Sequence, residues 1–256
     1  MYRANPKDGL ALVTGASSGI GRVVALELVK RGYRVVAVAR RVAELEALAA
    51  LVPGKIVAAP GDVTDRAGMA TLVTDVEARH GPVILAFLNA GTYYPDESGH
   101  VDAQAIMRTF DINVGGTANC LEPLVAAMAT RGKGQIALNA SVAGYGPLPR
   151  SLAYGSTKAA LINMAGSLKF ALAASGICVQ VVNPGFVRTP LTDKNDFPMP
   201  FMVEPDVAAK AICDGFERKG FEITFPRRLA WLLKALNLLP WGAYFALVGR
   251  ATKAKN

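Results

Sequence analysis

Seven short apolar runs, rich in β-branched residues, recur along the chain with almost no polar alternation inside them. They are LALVTG at 10–15, YRVVAVA at 33–39, KIVAAP at 55–60, VILAFLN at 83–89, GQIALNA at 134–140, ICVQVVN at 177–183 and FEITF at 221–225. A strand with one wet face alternates apolar and polar residues, so runs of this kind belong to strands covered on both faces. Between them lie longer stretches with helical spacing, such as IGRVVALELVKRG at 20–32 and RVAELEALAALV at 41–52. Strand and helix alternate through about six cycles, which predicts an α/β fold with a doubly wound parallel sheet of about seven strands. Right-handed crossovers then put helices on both faces and gather the strands' carboxyl ends along one edge, where ligands bind in such sheets.

The totals agree with one large domain. A chain of 256 residues, 52% of them apolar, can bury a substantial core and is not a disordered segment. No Pro/Gly/Ser linker divides it, so residues 1–225 read as the domain and 226–256 as a C-terminal extension. Cys120, Cys178 and Cys213 are scattered with no C-x-x-C, which argues against a disulfide framework or a zinc site. Only His80 and His100 are present, so no metal centre is expected. The start, MYRANPKDG, has no apolar signal-peptide core, and a cytoplasmic, reducing setting is expected. The net charge is +8, but 226–256 holds six basic residues and no acidic one, leaving +2 for the first 225 residues. The body therefore carries no nucleic-acid signature.

The first strand runs directly into TGASSGIG at 14–21. Gly15 permits the tight turn, Gly19 lets backbone approach a pyrophosphate, and Gly21, after Ile20, lets the helix pack closely on the strand. The phosphates would sit on the helix N-terminus, where free N–H groups and the dipole favour an anion, with Ser17 and Ser18 adding hydroxyls. The second strand ends in Ala39-Arg40-Arg41. An NAD site places an acid near here for the ribose 2′-OH. Ala39 stands in that place and two arginines follow, a pair suited to a 2′-phosphate, which favours NADP(H) over NAD(H).

Tyr154 and Lys158 stand four apart in YGSTK, ahead of a helical stretch, and so share a helix face. Together with the other motifs they carry a resemblance. Over about residues 8 to 225 the chain resembles the short-chain dehydrogenases/reductases, which implies a Rossmann-type fold. The matching motifs are TGASSGIG, Asp62 in GDVT, Asn89, Ala90 and Gly91 in NAG, Asn113 in INVGG, Ser141 in NASVAG, YGSTK, and PGFVRT at 184–189. The resemblance implies that Asp62 and Val63 meet the adenine and that Asn89 supports the central strand. It further implies that Val187 and Thr189, in the segment begun by Pro184 and Gly185, hold the nicotinamide carboxamide.

The resemblance also implies a catalytic tetrad of Asn113, Ser141, Tyr154 and Lys158. Hydride transfer to a carbonyl needs a proton donor at the developing alkoxide, and a phenol is suitable, with Ser141 sharing the same oxygen. In the oxidative direction the phenol must act as a base. A lysine ammonium about 4 Å away could hold it up to about three pH units below its ordinary value of about 10, with desolvation opposing part of this. Lys158 would also reach the nicotinamide ribose and relay protons through water held by Asn113. The expected substrate is a small carbonyl compound or alcohol. A different class of function, an NADPH-binding regulatory or scaffold protein with little turnover, is the alternative.

Past the sixth strand, Phe197, Met199, Phe201 and Met202 either pack on the body or close over a substrate with a sizeable apolar portion, such as a lipid, steroid-like or aryl compound. The extension mixes Trp231, Leu232, Leu236, Leu239, Trp241, Phe245 and Leu247 with basic residues. Lys234, Asn237 and Pro240 interrupt it, so it is too broken to span a bilayer. It would pack on the body or a neighbouring subunit, or lie in a membrane surface as a peripheral contact. By resemblance, the helices around 103–130 and 151–175 would pair copies into a homodimer or homotetramer.

Overall fold

Each of the seven apolar runs forms a strand, and every neighbouring pair runs parallel. The computed structural model describes residues 2–94, 100–194 and 199–253. The strands are β1 (Leu10–Thr14), β2 (Val35–Ala39), β3 (Ile56–Pro60), β4 (Val83–Leu88), β5 (Gly134–Asn139), β6 (Ile177–Pro184) and β7 (Glu222–Phe225). The described helices are α1 (Gly19–Lys30), α2 (Val42–Ala50), α3 (Arg66–His80), α4 (Ala103–Phe110), α5 (Gly116–Arg131), α6 (Leu152–Ala171), α7 (Pro205–Glu217), α8 (Arg227–Leu236) and α9 (Trp241–Lys253). A π-helical turn, Asp111–Gly115, joins α4 to α5.

The sheet order is β3-β2-β1-β4-β5-β6-β7, a Rossmann-type doubly wound arrangement. The chain winds from β1 outward to β3, then returns to place β4 on the other side of β1. The order thus reverses between β1 and β4, and a crevice opens there at the strands' carboxyl ends. Successive residues of β1 serve opposite layers. Ala11 and Val13 share a core with Val24 and Leu28 of α1 and Ile212 of α7. Leu10 and Leu12 share the other with Met69 and Val73 of α3 and Leu124 of α5. This is why the runs lack polar alternation. Each fully buried leucine contributes about 1.5–3 kcal/mol.

Two glutamines inside the apolar runs have a structural reason. Gln135 of β5 donates from Nε2 to Gln180 Oε1 at 2.7 Å and to the Phe216 carbonyl at 2.9 Å. Gln180 of β6 donates to the Gly215 carbonyl at 3.0 Å and the Gly220 carbonyl at 2.8 Å. The two amides thereby satisfy carbonyls at the end of α7, where a helix has no partners of its own to offer.

The extension lies against the body. Leu229 and Ala230 of α8, and Tyr244 and Val248 of α9, are buried. Lys234 pairs with Glu222 of β7, whose other oxygen accepts from Tyr145 at 2.6 Å and Asn183 at 2.7 Å. Burial opposes ionisation of Glu222, but these three donors outweigh it and hold the carboxyl below its ordinary range. The Tyr244 hydroxyl donates to the Pro147 carbonyl at 2.7 Å. Among the described residues no helix is long and apolar enough to cross a membrane.

Candidate active site

The turn after β1 is shaped by two close approaches. Gly15 has φ 68°, and a Cβ there would come within 2.9 Å of Ala90 Cα. A Cβ on Gly21 would come within 2.4 Å of the Gly15 carbonyl oxygen. Thr14 locks the turn to the end of β4, its Oγ1 accepting from the backbone N–H of Asn89 at 2.9 Å and of Ala90 at 3.0 Å. Because the Gly21 neighbour is backbone, it has little room to yield. Gly21→Ala should destabilise the fold by about 1–3 kcal/mol and weaken dinucleotide binding in parallel. Urea denaturation and cofactor titration check this, and an unchanged midpoint with unchanged affinity would contradict it.

A cleft of about 410 Å³ runs along this edge. Nearly all the residues singled out in the sequence line it, from Arg40 and Arg41 at one end to Ser141, Tyr154 and Lys158 at the other. Gly15, Ser17, Ser18, Gly19 and Ile20 form one wall, and Pro184, Gly185, Val187 and Thr189 stand across from them. Asp62, Val63, Asn89, Ala90 and Gly91 complete the floor. Gly21 and Asn113 do not line the cleft, each lying directly behind a glycine that does.

At the arginine end, Arg41 Nη2 donates to Ser17 Oγ and Ser18 Oγ, both at 2.8 Å. Ser18 precedes α1 yet makes no side-chain cap, and the first turn of α1 holds no acid. The N–H groups at this helix start thus face the cleft without a side-chain acceptor. Arg40 stands 3.7 Å from Asp62. The Thr64 backbone N–H, 3.0 Å from Asp62 Oδ1, holds that carboxyl below its ordinary range, against the effect of burial.

At the other end, Tyr154 and Lys158 sit one turn apart on α6. The Tyr154 hydroxyl is hydrogen-bonded to Ser141, and Ser141 Oγ also accepts from the Ala143 N–H at 3.1 Å. Lys158 is buried, and its Nζ donates to the Asn139 carbonyl at 2.7 Å and lies 5.4 Å from the centre of the Tyr154 ring. Asn113, in the π-helical turn, accepts from the Thr92 N–H at 2.7 Å and donates to Thr157 Oγ1 at 3.0 Å. A Cβ on Gly91 would meet Asn113 Oδ1 at 3.1 Å and Lys158 Nζ at 3.7 Å, so the two groups converge on one glycine.

The electrostatics differ from the expectation of a phenol drawn down by its lysine. Burial pushes Tyr154 up to about 12, the Ser141 hydrogen bond offsetting only part of it and Tyr93 adding to it. Burial also brings Lys158 down to about 7, because an ammonium so enclosed has lost its hydration. Desolvation is the largest influence on both members.

Several residues in or next to the cleft were not singled out from the sequence. Asn139 ends β5, its Nδ2 donating to Asn89 Oδ1 at 2.9 Å and its carbonyl receiving Lys158. Tyr93 sets its ring edge against Tyr154 at 5.3 Å. Thr192, whose Oγ1 accepts from the Thr189 N–H at 2.9 Å and donates to the Val187 carbonyl at 2.8 Å, shapes the wall opposite the glycines. Asn139 was the one within reach: an Asn at the carboxyl end of a strand beside Asn89 faces the ligand edge. Of the segment after β6, Met199 and Met202 are half-buried and Phe201 is exposed, while Phe197 lies outside the described residues.

Residues 9–198 match the family model described as short chain dehydrogenase. The chain belongs to the short-chain dehydrogenases. An uncharacterized oxidoreductase of Myxococcus xanthus is 34% identical to it over 233 residues, 90% of this chain and 92% of the relative. The 17-beta-hydroxysteroid dehydrogenase 13 of Rattus norvegicus is 30% identical over 273 residues, 95% of this chain and 87% of the relative. A crystal structure of a short-chain dehydrogenase from Streptomyces avermitilis superposes with a TM-score of 0.82 at 28% identity, covering 97% of this chain and 98% of the other. Short-chain dehydrogenases are oxidoreductases that work with a nicotinamide dinucleotide. This cleft fits one: the start of α1 is open to an anion, the glycine turn leaves backbone bare, and the Asn139 Oδ1 acceptor at the inner end is buried without a partner.

Proposed function

We propose that this short-chain dehydrogenase is an NADP(H)-dependent enzyme interconverting a ketone or aldehyde with an alcohol, and that its substrate has a sizeable apolar portion. One observation carries the reading. The Ser141–Tyr154 hydroxyl pair lies beside buried Lys158 in the same cleft as the glycine turn. A bound reduced nicotinamide would supply the hydride. Tyr154, protonated at neutral pH, would donate its proton to the carbonyl oxygen as charge develops there. Ser141 would hold that oxygen as a second donor. Lys158, fixed by Asn139 and backed by Asn113 through Thr157, would keep positive charge behind the phenol.

In the rest of the cleft, Ser17, Ser18 and the N–H groups at the start of α1 would hold the pyrophosphate. Asp62 and Val63 would border the adenine, and Val187 and Thr189 would take the carboxamide. The preference for NADP(H) is supported by Ala39 standing where an acid would be and by Arg41 already turned to the phosphate-side serines. The apolar substrate is supported by the name of the rat relative, a hydroxysteroid dehydrogenase, and by the apolar Met199, Phe201 and Met202 leading into Val203, which pairs with Val187 of the cleft wall. Stopped-flow oxidation of NADPH against a panel of ketones tests the reading. Faster turnover of steroid-like or aryl ketones than of short polar ones is the expected result, and equal rates for both would remove the apolar part.

A pH dependence follows with a definite sign. Lys158 is charged below about 7 and neutral above it. If its charge supports proton donation, kcat/KM for reduction should fall as pH rises through about 7. Initial rates across neutrality check this, and a flat profile there would take the Lys158 charge out of the mechanism.

A further inference from the structure

The outer surface of α8 and α9 is the largest feature that the reaction does not use. We propose that it docks on an anionic lipid bilayer surface, holding the enzyme as a peripheral membrane protein. The inner face of each helix is spent on the body. Trp231 and Leu232 of α8, Leu238 of the turn that follows it, and Trp241, Phe245 and Leu247 of α9 are all exposed. Their exposure is high, 70% for Trp231, 87% for Leu238 and 61% for Trp241, so they are not the rim of a buried cluster. Isolated exposed leucines need no explanation, but six large exposed apolar residues between 231 and 247, two of them tryptophans, do.

The spacing is that of an interfacial helix. Arg227 and Arg228 stand one turn before Trp231 and Leu232 on the exposed side of α8, and their long stems can lie along apolar surface with the charge kept at headgroup level. On α9, Trp241 and Phe245 stack at 5.6 Å, and exposed Arg250 closes the far end. The body-facing cation is different: Lys234 is committed to Glu222. These contacts hold the surface fixed, so docking needs little ordering.

Charge decides which occupant fits. Residues 226–256 contain no acid. Two copies meeting through this face in a two-fold contact would bring identical arginine sets together with no carboxylate of the segment to offset them. Anionic headgroups instead complement the arginines, while tryptophan favours the boundary between headgroup and acyl chain. The surface also adjoins a groove of about 700 Å³ whose rim includes Asn237 and Trp241. That groove runs along the loop between Ser141 and Tyr154.

Trp231 and Trp241 are the only tryptophans of the chain, so its selectively excited tryptophan fluorescence reports on this surface alone. The test uses the full chain with vesicles of phosphatidylcholine plus phosphatidylserine, and with phosphatidylcholine alone. The expected result is sedimentation with the anionic vesicles, a blue shift of emission, and weakening by high salt. Arg227→Gln with Arg228→Gln should weaken binding about 30-fold. Trp231→Glu with Leu238→Glu should abolish it while circular dichroism and NADPH binding stay unchanged. The proposal is overturned if the anionic vesicles leave protein and emission unchanged, or if the variants bind as the parent does. It is equally overturned if light scattering without vesicles finds a larger assembly that Trp231→Glu with Leu238→Glu dissolves, since a second copy would then be the occupant.

Discussion

Tyr154→Phe should lower kcat/KM for ketone reduction by about 10³-fold, with cofactor affinity unchanged. The substitution removes one oxygen and little else. The ring keeps its edge contact with Tyr93 at 5.3 Å, and Ser141 keeps the Ala143 N–H as a donor. What would be lost is the proton donor proposed for the reduction. At about 12 the buried phenol stays protonated through neutral and mildly basic pH, which suits reduction. In the opposite direction the same value leaves about one site in 10⁵ ionised at pH 7. Alcohol oxidation by the parent enzyme should therefore rise about tenfold per pH unit until the phenol titrates. Single-turnover rates on one confirmed substrate check both statements. A Phe variant turning over within about twofold of the parent would end the role given to Tyr154.

The other large effect is expected at the far end of the cleft. Removing both guanidinium groups with Arg40→Ala and Arg41→Ala should raise KM for NADPH about 100-fold and leave NADH almost unaffected. The reason would be charge-assisted hydrogen bonding to a phosphate that NADH lacks. Each arginine has a carboxylate nearby, Glu44 at 3.4 Å from Arg41 and Asp62 at 3.7 Å from Arg40, but only Arg41 is also held on Ser17 and Ser18, so it should matter more of the two. The reciprocal change, Ala39→Asp, places an acid beside the ribose and should turn preference toward NADH. Steady-state kinetics with both cofactors decide. An equal rise in both KM values would mean that the arginines shape the turn and do not read the 2′-phosphate.

The sheet was legible because its signals are local. A run such as VVAVA, apolar on both faces, can only be a covered strand, and all seven runs became strands. The glycine turn was legible for the same reason: Gly15 takes a positive φ of 68° and Gly21 packs on the Gly15 carbonyl six residues back, whereas the approach of Gly15 to Ala90 exists only once β4 lies beside β1. Tyr93 and Thr157 were not, and Asn139 only by its place at a strand end, because their contacts in the site exist only once β4, β5 and α6 lie side by side. No spacing in the chain brings Thr157 to Asn113, 44 residues away, or Asn139 to Asn89, 50 residues away.

By itself the sequence determined the parallel sheet, the strand that bears the turn, and hence the edge where the cleft lies. These follow from residue periodicity and from the handedness of L-amino-acid crossovers. Only the tertiary structure decided the ionisation of Tyr154 and Lys158 and the bare outer face of α8 and α9. Desolvation and exposure depend on what packs around a group from distant parts of the chain. A pair that reads as mutual attraction in the sequence thus becomes, once enclosed, a neutral phenol beside a weakened ammonium.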